Sequence, residues 1–464
     1  MILFAALLFS MFHTPVLCAQ ELSSISPHEA IELALSRSDE INYRSIDREI
    51  ARAKIAIQKR NFLPSLGIDY SQSDSVSYDS ADSRIKKATF SVDQLLYDGG
   101  QLAYQYRNLR SQLYLSDIET DEIKEQLALQ VITICTNLLK NKRILEIQSA
   151  TREIVLKQIT IARQEHRLGM ITELDLLEME AQLGEIDLSL ASTRQDEKRY
   201  IFQLSRILEI PPDSLPSIRG RINPDYHGFL LVGKNLEKEI ERYASLALYQ
   251  NSDLQKLLIQ LENARTTRDQ TRRSWIPSIN AELELSMSGE ELPLSEFGYS
   301  LGMVFTFNLP AFPFKTDVSA GKTNPQERSI GNSSSVQLFD NLQGFISGRE
   351  ASLQLAKGYS SYEDRQRNLR FDIEEALTDI DHQMNTISLT QRRMEISRRE
   401  ISILQKEVEL GEATRIDLIE EQVSLTQQEA KLIESFVDLY NSEATFLQSC
   451  GVRGIAETVK EIIV

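Results

Sequence analysis

Several sets of residues in this chain have types and spacings that suggest chemistry, and much of that chemistry is excluded on inspection. Ala320-Gly321-Lys322-Thr323 has the ending of a phosphate-binding loop. Such a loop needs an earlier glycine, where Thr316 stands, and a buried strand leading into a helix; neither is predicted here. The five histidines never cluster, so no zinc set forms. Cys18, Cys135 and Cys450 are too scattered for a disulfide framework. No nucleophile and base stand together, so no enzyme, cofactor or metal is expected. A net charge of −17 argues against a nucleic-acid partner, because phosphate binding needs a basic face.

What remains is a pair of matched polar motifs. Gly169-Met-Ile-Thr172-Glu-Leu-Asp175 and Gly411-Glu-Ala-Thr414-Arg-Ile-Asp417 each place a threonine three residues after a glycine and an aspartate three residues further on. Physically this is a helix stop followed by a helix start. Gly accepts the positive φ that ends one helix, Thr caps the next, and the acid sits at the positive end of the new helix. Charged residues crowd the same turns: Arg163, Glu165, Arg167, Glu407, Glu409 and Arg415. A third set, Asp69, Asp93, Glu282 and Glu284, falls on the polar side of alternating segments.

The elements that carry these residues are written twice. Phe62-Leu-Pro-Ser65 matches Trp275-Ile-Pro-Ser278 at an offset of 213 residues. The glycine–threonine motifs match at an offset of 242, as do Leu96-Tyr97-Asp98 and Leu338-Phe339-Asp340. The copies are therefore collinear except for about 29 extra residues in the second, between Pro310 and Leu338. That segment is rich in Ser, Gly and Asn, and reads as a loop over about 311–337. The first repeat spans 26–212, a linker 213–233, the second repeat 234–452 and a tail 453–464.

Each repeat opens with a helical lead-in; Ser26-Pro27-His28-Glu29 combines an N-cap, Pro at N1 and Glu at N3. Period-two alternation then predicts strands at about 65–74 and 86–95 in the first repeat, and 278–288 and 299–309 in the second. Long helices follow at about 101–168 and 172–210, and at 344–410 and 414–450. The run Gln101 to Leu168 contains neither Pro nor Gly and would be on the order of 100 Å long. Its 4-3-4 apolar spacing, as in Leu127, Val131, Ile134 and Leu138, is a coiled-coil seam.

Residues 1–19 read as a secretory signal cleaved after Ala19, although no Lys or Arg precedes Arg37. Leu17 before Cys18 is a poor match to a lipidation signal. No other stretch is apolar enough for a membrane-spanning helix. Strands of this length, apolar on one face and polar on the other, are the unit of a membrane β-barrel. Aromatic residues at the strand ends (Phe62, Tyr97, Trp275, Phe312, Phe314) suit an interfacial girdle. Four strands cannot close in lipid, where open edges are not tolerated. Three copies are the smallest number that gives a conducting pore.

The order helix, Leu-Pro-Ser, strand pair, Leu96-Tyr97-Asp98-Gly99-Gly100, long helix, Gly-x-x-Thr-x-Leu-Asp-Leu-Leu and returning helix, all duplicated, resembles the TolC-like outer membrane efflux proteins. The resemblance covers about residues 26–452. It implies a mainly α fold with a transmembrane β part: a homotrimer with a twelve-stranded outer-membrane barrel, continued by a twelve-helix periplasmic tunnel. It implies a passive, non-enzymatic exit duct for a tripartite efflux pump or type I secretion system. The implied partners are outer membrane lipid, a periplasmic adaptor and an inner-membrane pump of ABC, RND or MFS type. The turns at Gly169, Thr172 and Asp175, and at Gly411, Thr414 and Asp417, become the adaptor-docking tips. Asp69, Asp93, Glu282 and Glu284 become lumen acids, and the charges beside the tips become candidates for a periplasmic gate. The extra segment would lie on the periplasmic side of the barrel. A periplasmic adaptor or a soluble coiled-coil scaffold is the competing reading; neither needs two hairpins behind two alternating strand pairs.

Overall fold

The computed structural model describes residues 24–76, 83–224, 226–228, 230, 236–309, 312–324, 327–338, 343–454 and 457–463. The expected signal segment with Cys18, and Phe339 and Asp340 of the second copy's Leu-Phe-Asp match, lie outside the described residues. The chain forms two compact units.

The first unit comprises residues 1–38, 124–240 and 374–464. It holds β1 (Ser24–Ile25), α1 (Pro27–Arg37), most of α3 (Gln101–Arg167), α4 (Glu173–Leu208), β4 (Ser217–Ile218), the later part of α7 (Gly344–Leu410), α8 (Arg415–Ser449) and α9 (Val459–Ile462). Helix α1 starts where Ser26 and Glu29 close a reciprocal capping box, with Pro27 in the first turn. Its buried face is Ala30, Ile31 and Ala34. Apolar rows from α3, α4 and α8 meet in one cluster of Val155, Ile159, Ala162, Met179, Ile186, Leu190, Ile419 and Val423. Such burial is worth roughly 1.5–3 kcal/mol per large aliphatic side chain. A buried hydroxyl pair, Thr151 with Thr426 at 2.6 Å, ties α3 to α8.

The stretch expected as a linker is anchored in places. Strand β4 pairs with β1 in parallel, Ser24 opposite Ser217 and Ile25 opposite Ile218. The Tyr226 hydroxyl donates to the buried Glu443 carboxylate at 2.5 Å, and the Leu230 amide donates to it at 2.9 Å. The expected tail is also held: Ile462 is buried and Ile463 bridges Ile222. Cys135 and Cys450 are free and buried, and burial pushes both thiols up to about 12. Neither is reactive at neutral pH.

The second unit comprises residues 39–123 and 241–373. It contains α2 (Asp39–Arg60), β2 (Ser65–Ser75), β3 (Ser83–Tyr97), the start of α3, most of α5 (Leu236–Gln250), α6 (Ser252–Arg272), β5 (Ser278–Gly289), β6 (Glu296–Phe307), β7 (Phe314–Asn324), β8 (Glu327–Val336) and the start of α7. Its strands form one antiparallel sheet in the order β2-β3-β5-β6-β7-β8. Polar pairs knit the helices of this unit: Arg44 to Glu119, Arg48 to Asp117, Arg365 to Asp253 and Gln58 to Gln105.

The sheet corrects one expectation. Residues 314–324 and 327–336, read as part of a Ser/Gly/Asn-rich loop, are two antiparallel strands, the first of them hydrogen-bonded to β6. The sheet therefore has six strands where four were expected. Small residues are frequent in loops, yet they also fit an extended strand when a neighbouring strand offers its ladder. Phe314, Thr316, Val318 and Ala320 do alternate with Lys315, Asp317, Ser319 and Gly321, a period too weak in hydrophobicity to outweigh the composition.

Candidate functional site

Both glycine–threonine motifs form the turn between two long antiparallel helices. Gly169 has φ +74° and Gly411 φ +79°, the left-handed conformation that residues with a Cβ rarely adopt. At the first turn the Met170 amide donates to the Glu165 carbonyl at 2.9 Å and the Gly169 amide to the His166 carbonyl at 2.9 Å. At the second, the Glu412 amide donates to the Glu407 carbonyl at 2.8 Å. These bonds satisfy the last carbonyls of α3 and α7.

The returning helices start with reciprocal capping boxes. The Asp175 amide donates to Thr172 Oγ1 at 3.2 Å and the Thr172 amide to Asp175 Oδ2 at 2.9 Å. The same pair of bonds joins Thr414 and Asp417, at 3.1 and 3.2 Å. All six motif residues are thus spent on making two rigid turns. Around them the surface is open. Leu168, Met170 and Leu174 project at the first turn, and Leu410 at the second, with Met170 69 % exposed. The spacing of glycine, threonine and aspartate singles out the capping residues and not these exposed apolar neighbours, whose one signal is their place beside a turn glycine.

The charges beside the turns divide. Arg415, at the first position of α8, forks onto both oxygens of Glu165 on α3 at 2.8 Å and donates to Gln158 at 2.9 Å. These hydrogen bonds hold the Glu165 carboxyl below its ordinary range. Arg163 instead reaches Glu180 on α4 at 2.8 Å. Glu165, Arg415 and Arg163 therefore join helices within one chain. Arg167, Glu407 and Glu409 are not brought to these pairs. Neither Gln158 nor Glu180 is visible as a partner in the sequence, because the pairing depends on helix register.

Helix α7 leaves an unpartnered seam in the first unit. Leu389, Ile396, Ile403 and Leu410 recur every seven residues, each half-exposed or more. An exposed heptad row has the spacing of the apolar seam of a coiled coil.

In the second unit the strand register sorts side chains onto two faces. Leu66, Val92, Leu283, Leu301 and Ala320 lie in one cross-strand row, and Ile68, Phe90, Leu285 and Tyr299 in the next. Most of this face is open, with Ile68 83 % exposed. A contiguous apolar sheet face is a surface that water does not cover favourably. The opposite face carries Asp69, Asp93, Glu282 and Glu284. Asp93 sits directly across from Glu282, and Ser91 from Glu284. Lys87 pairs with Glu284 at 2.8 Å, so this face is acidic but locally compensated. No helix among the described residues is long and apolar enough to cross a membrane.

A search of curated protein sequences gave no match to the chain. The family model described as outer membrane efflux protein matches residues 30–208 and 243–452. Among solved structures the chain is similar to CusC, a transmembrane channel, with TM-score 0.71 and 15% identity over 92% of each chain. It is similar to the outer membrane protein VceC of Vibrio cholerae, with TM-score 0.71 and 14% identity over 92% of this chain and 96% of that one. It is similar to the CmeC outer membrane channel of Campylobacter jejuni, with TM-score 0.69 and 15% identity over 94% and 88%.

Proposed function

The chain belongs to the outer membrane efflux protein family, and from that premise we propose which of its surfaces meet lipid, a second copy, cargo and an adaptor. It is an outer membrane channel subunit of a tripartite efflux pump, with the mainly helical fold and strand sheet of trimeric channels that join a barrel to a periplasmic tunnel. Channels of this family are ducts that work with a periplasmic adaptor and an inner-membrane pump.

The observation that carries the assignment of surfaces is the two-faced sheet. Its apolar face suits lipid, and its polar face, with Asp69, Asp93, Glu282 and Glu284, lines the lumen. Acids there favour cations, weakly, because Lys87 offsets Glu284. The α7 seam from Leu389 to Leu410 is covered by a helix of the next copy. The turns at Gly169 and Gly411 are the adaptor-docking tips, with Thr172, Asp175, Thr414 and Asp417 fixing their shape. Of the charged residues proposed near a gate, Arg167, Glu407 and Glu409 remain available for contacts between copies. Glu165, Arg415 and Arg163 serve within one chain. The duct itself catalyses nothing, and the pump class, ABC, RND or MFS, is set by the adaptor it accepts.

The test replaces Met170 or Glu412, beside each turn glycine, with a photo-crosslinking residue in cells. Crosslinks from both positions to one periplasmic protein are expected, together with a detergent-extractable outer-membrane trimer. A trimer whose tips crosslink to nothing while transport continues would place docking elsewhere.

A further inference from the structure

The hairpin β7–β8 has no counterpart in the first repeat, and it is built into the sheet over its full height. Strand β7 pairs with β6 from Phe307 opposite Phe314 to Tyr299 opposite Lys322, and β8 pairs with β7 from Val336 to Glu327. The strands are 11 and 10 residues long, the length that crosses a hydrocarbon layer when tilted.

The fit to β6 is close. A Cβ on Gly321 would stand 2.4 Å from the Tyr299 carbonyl oxygen and 3.0 Å from the Ser300 Cα, so glycine is required where the two backbones approach. The faces also continue. Leu301, Ala320 and Ile330 form one cross-strand row on the apolar side, with Ile330 87 % exposed. On that side Thr316 and Ser334 bond each other at 2.9 Å, and Thr316 donates to the Asn332 side-chain oxygen at 3.3 Å. Polar atoms that satisfy one another in this way are tolerated against lipid.

Strand direction makes β8 the new edge. Because neighbours alternate, β8 runs the same way as β6, and the chain passes from β8 towards α7 as it passes from β3 to α3. The sheet then ends in β2 on one side and β8 on the other. Neither edge can remain open in lipid.

We propose that β8 of one copy pairs with β2 of the next, so that three six-stranded sheets close a barrel of eighteen strands. The pairing is antiparallel at every junction, as closure of an even-stranded barrel requires. Barrel diameter grows roughly linearly with strand number, so the lumen is about half as wide again as one built from four strands per chain. The hairpin thereby sets the width of the barrel segment of the duct. This rests on the reading of the chain as a trimeric outer-membrane duct.

The experiment is electron cryomicroscopy of the full chain as a detergent-solubilised trimer, with strands counted in cross-section. Eighteen strands with β8 beside a partner's β2 are expected. A trimeric barrel of twelve, with β7–β8 outside the wall, overturns the proposal and leaves the duct reading intact. Absence of a barrel trimer overturns both. Deletion of residues 313–336, which leaves β6 as an edge of the same direction, adds a second readout. In cross-section the trimeric deletion variant is expected to show twelve strands and a barrel about two-thirds as wide. An assembled deletion variant whose barrel keeps the width of the full chain's also overturns the proposal; if that variant does not assemble, the strand count of the full chain decides.

Discussion

The two repeats of this chain turn at their tips in the same way and hand over from sheet to helix in different ways. Gly169 and Gly411 share a left-handed φ, and Thr172–Asp175 and Thr414–Asp417 share a reciprocal cap. The residues that dress the turns differ. Met170 stands where the second repeat has Glu412, Arg167 where it has Glu409, and Glu173 where it has Arg415. At the handover, β3 runs through a register shift near Leu96 into Asp98, Gly99 and Gly100, and α3 begins. In the second repeat β6 is followed by a whole extra hairpin before α7. The comparison separates the backbone geometry that both repeats need from the surfaces on which they have diverged. One common turn can present an apolar face at one tip and an acidic face at the other.

The largest effect is expected at the glycines. Val at both Gly169 and Gly411 is expected to abolish transport while trimer yield in the outer membrane stays normal, since a Cβ added at either site meets nothing within 4 Å and the damage is local strain. Either single substitution is expected to be milder. Normal transport in the double variant would mean that the shared turn geometry is not what the partner reads.

Next in size is Asp98→Ala, which acts on the first repeat alone. Asp98 accepts from the Gly100 amide at 2.9 Å and from the Leu102 amide at 2.5 Å, capping α3. Its loss is expected to destabilise the handover by about 1–2 kcal/mol, read as faster hydrogen exchange over the first turn of α3. Unchanged exchange there would show that the sheet alone sets where α3 starts.

The threonine caps should be equal in the two repeats. Thr172→Ala and Thr414→Ala are each expected to lose about 1 kcal/mol locally, measured by exchange at the first turns of α4 and α8. A large inequality would mean that the tips are less alike than their backbone.

The smallest effect is a pH dependence of the ion pair that joins the end of α3 to the start of α8. Glu165 has its carboxyl lowered by hydrogen bonds from Arg415, so its contribution is present above the unfolded value of about 4.3 and is lost as pH falls through the folded value. For a pair about one-fifth exposed this amounts to roughly 1 kcal/mol at most. Protection at the start of α8 should fall on acidification, and Arg415→Met should flatten that response.

Much of this molecule is legible because its signals are local. A run without Pro or Gly, broken by Gly169 and restarted by Thr172, is a statement about backbone conformation that needs no tertiary partner. The same holds for period-two alternation in Ile279 to Met287 and for Ser26-Pro27-His28-Glu29. The two-faced sheet follows from that alternation. The pairing of Arg415 with Glu165, 250 residues away, is not legible, because it depends on how α3 and α8 are turned against each other.

The amino-acid sequence by itself determined the duplication, the strand pairs, the long helices and the turns that join them, since each is encoded in spacing along a few adjacent residues. That residues 314–324 and 327–336 are strands follows only from the packing of the whole sheet. Ser, Gly and Asn leave a segment free to be loop or sheet, and the choice falls to whichever backbone offers hydrogen bonds. Here β6 offers a complete ladder, Gly321 lets β7 approach it, and the hairpin becomes part of the sheet.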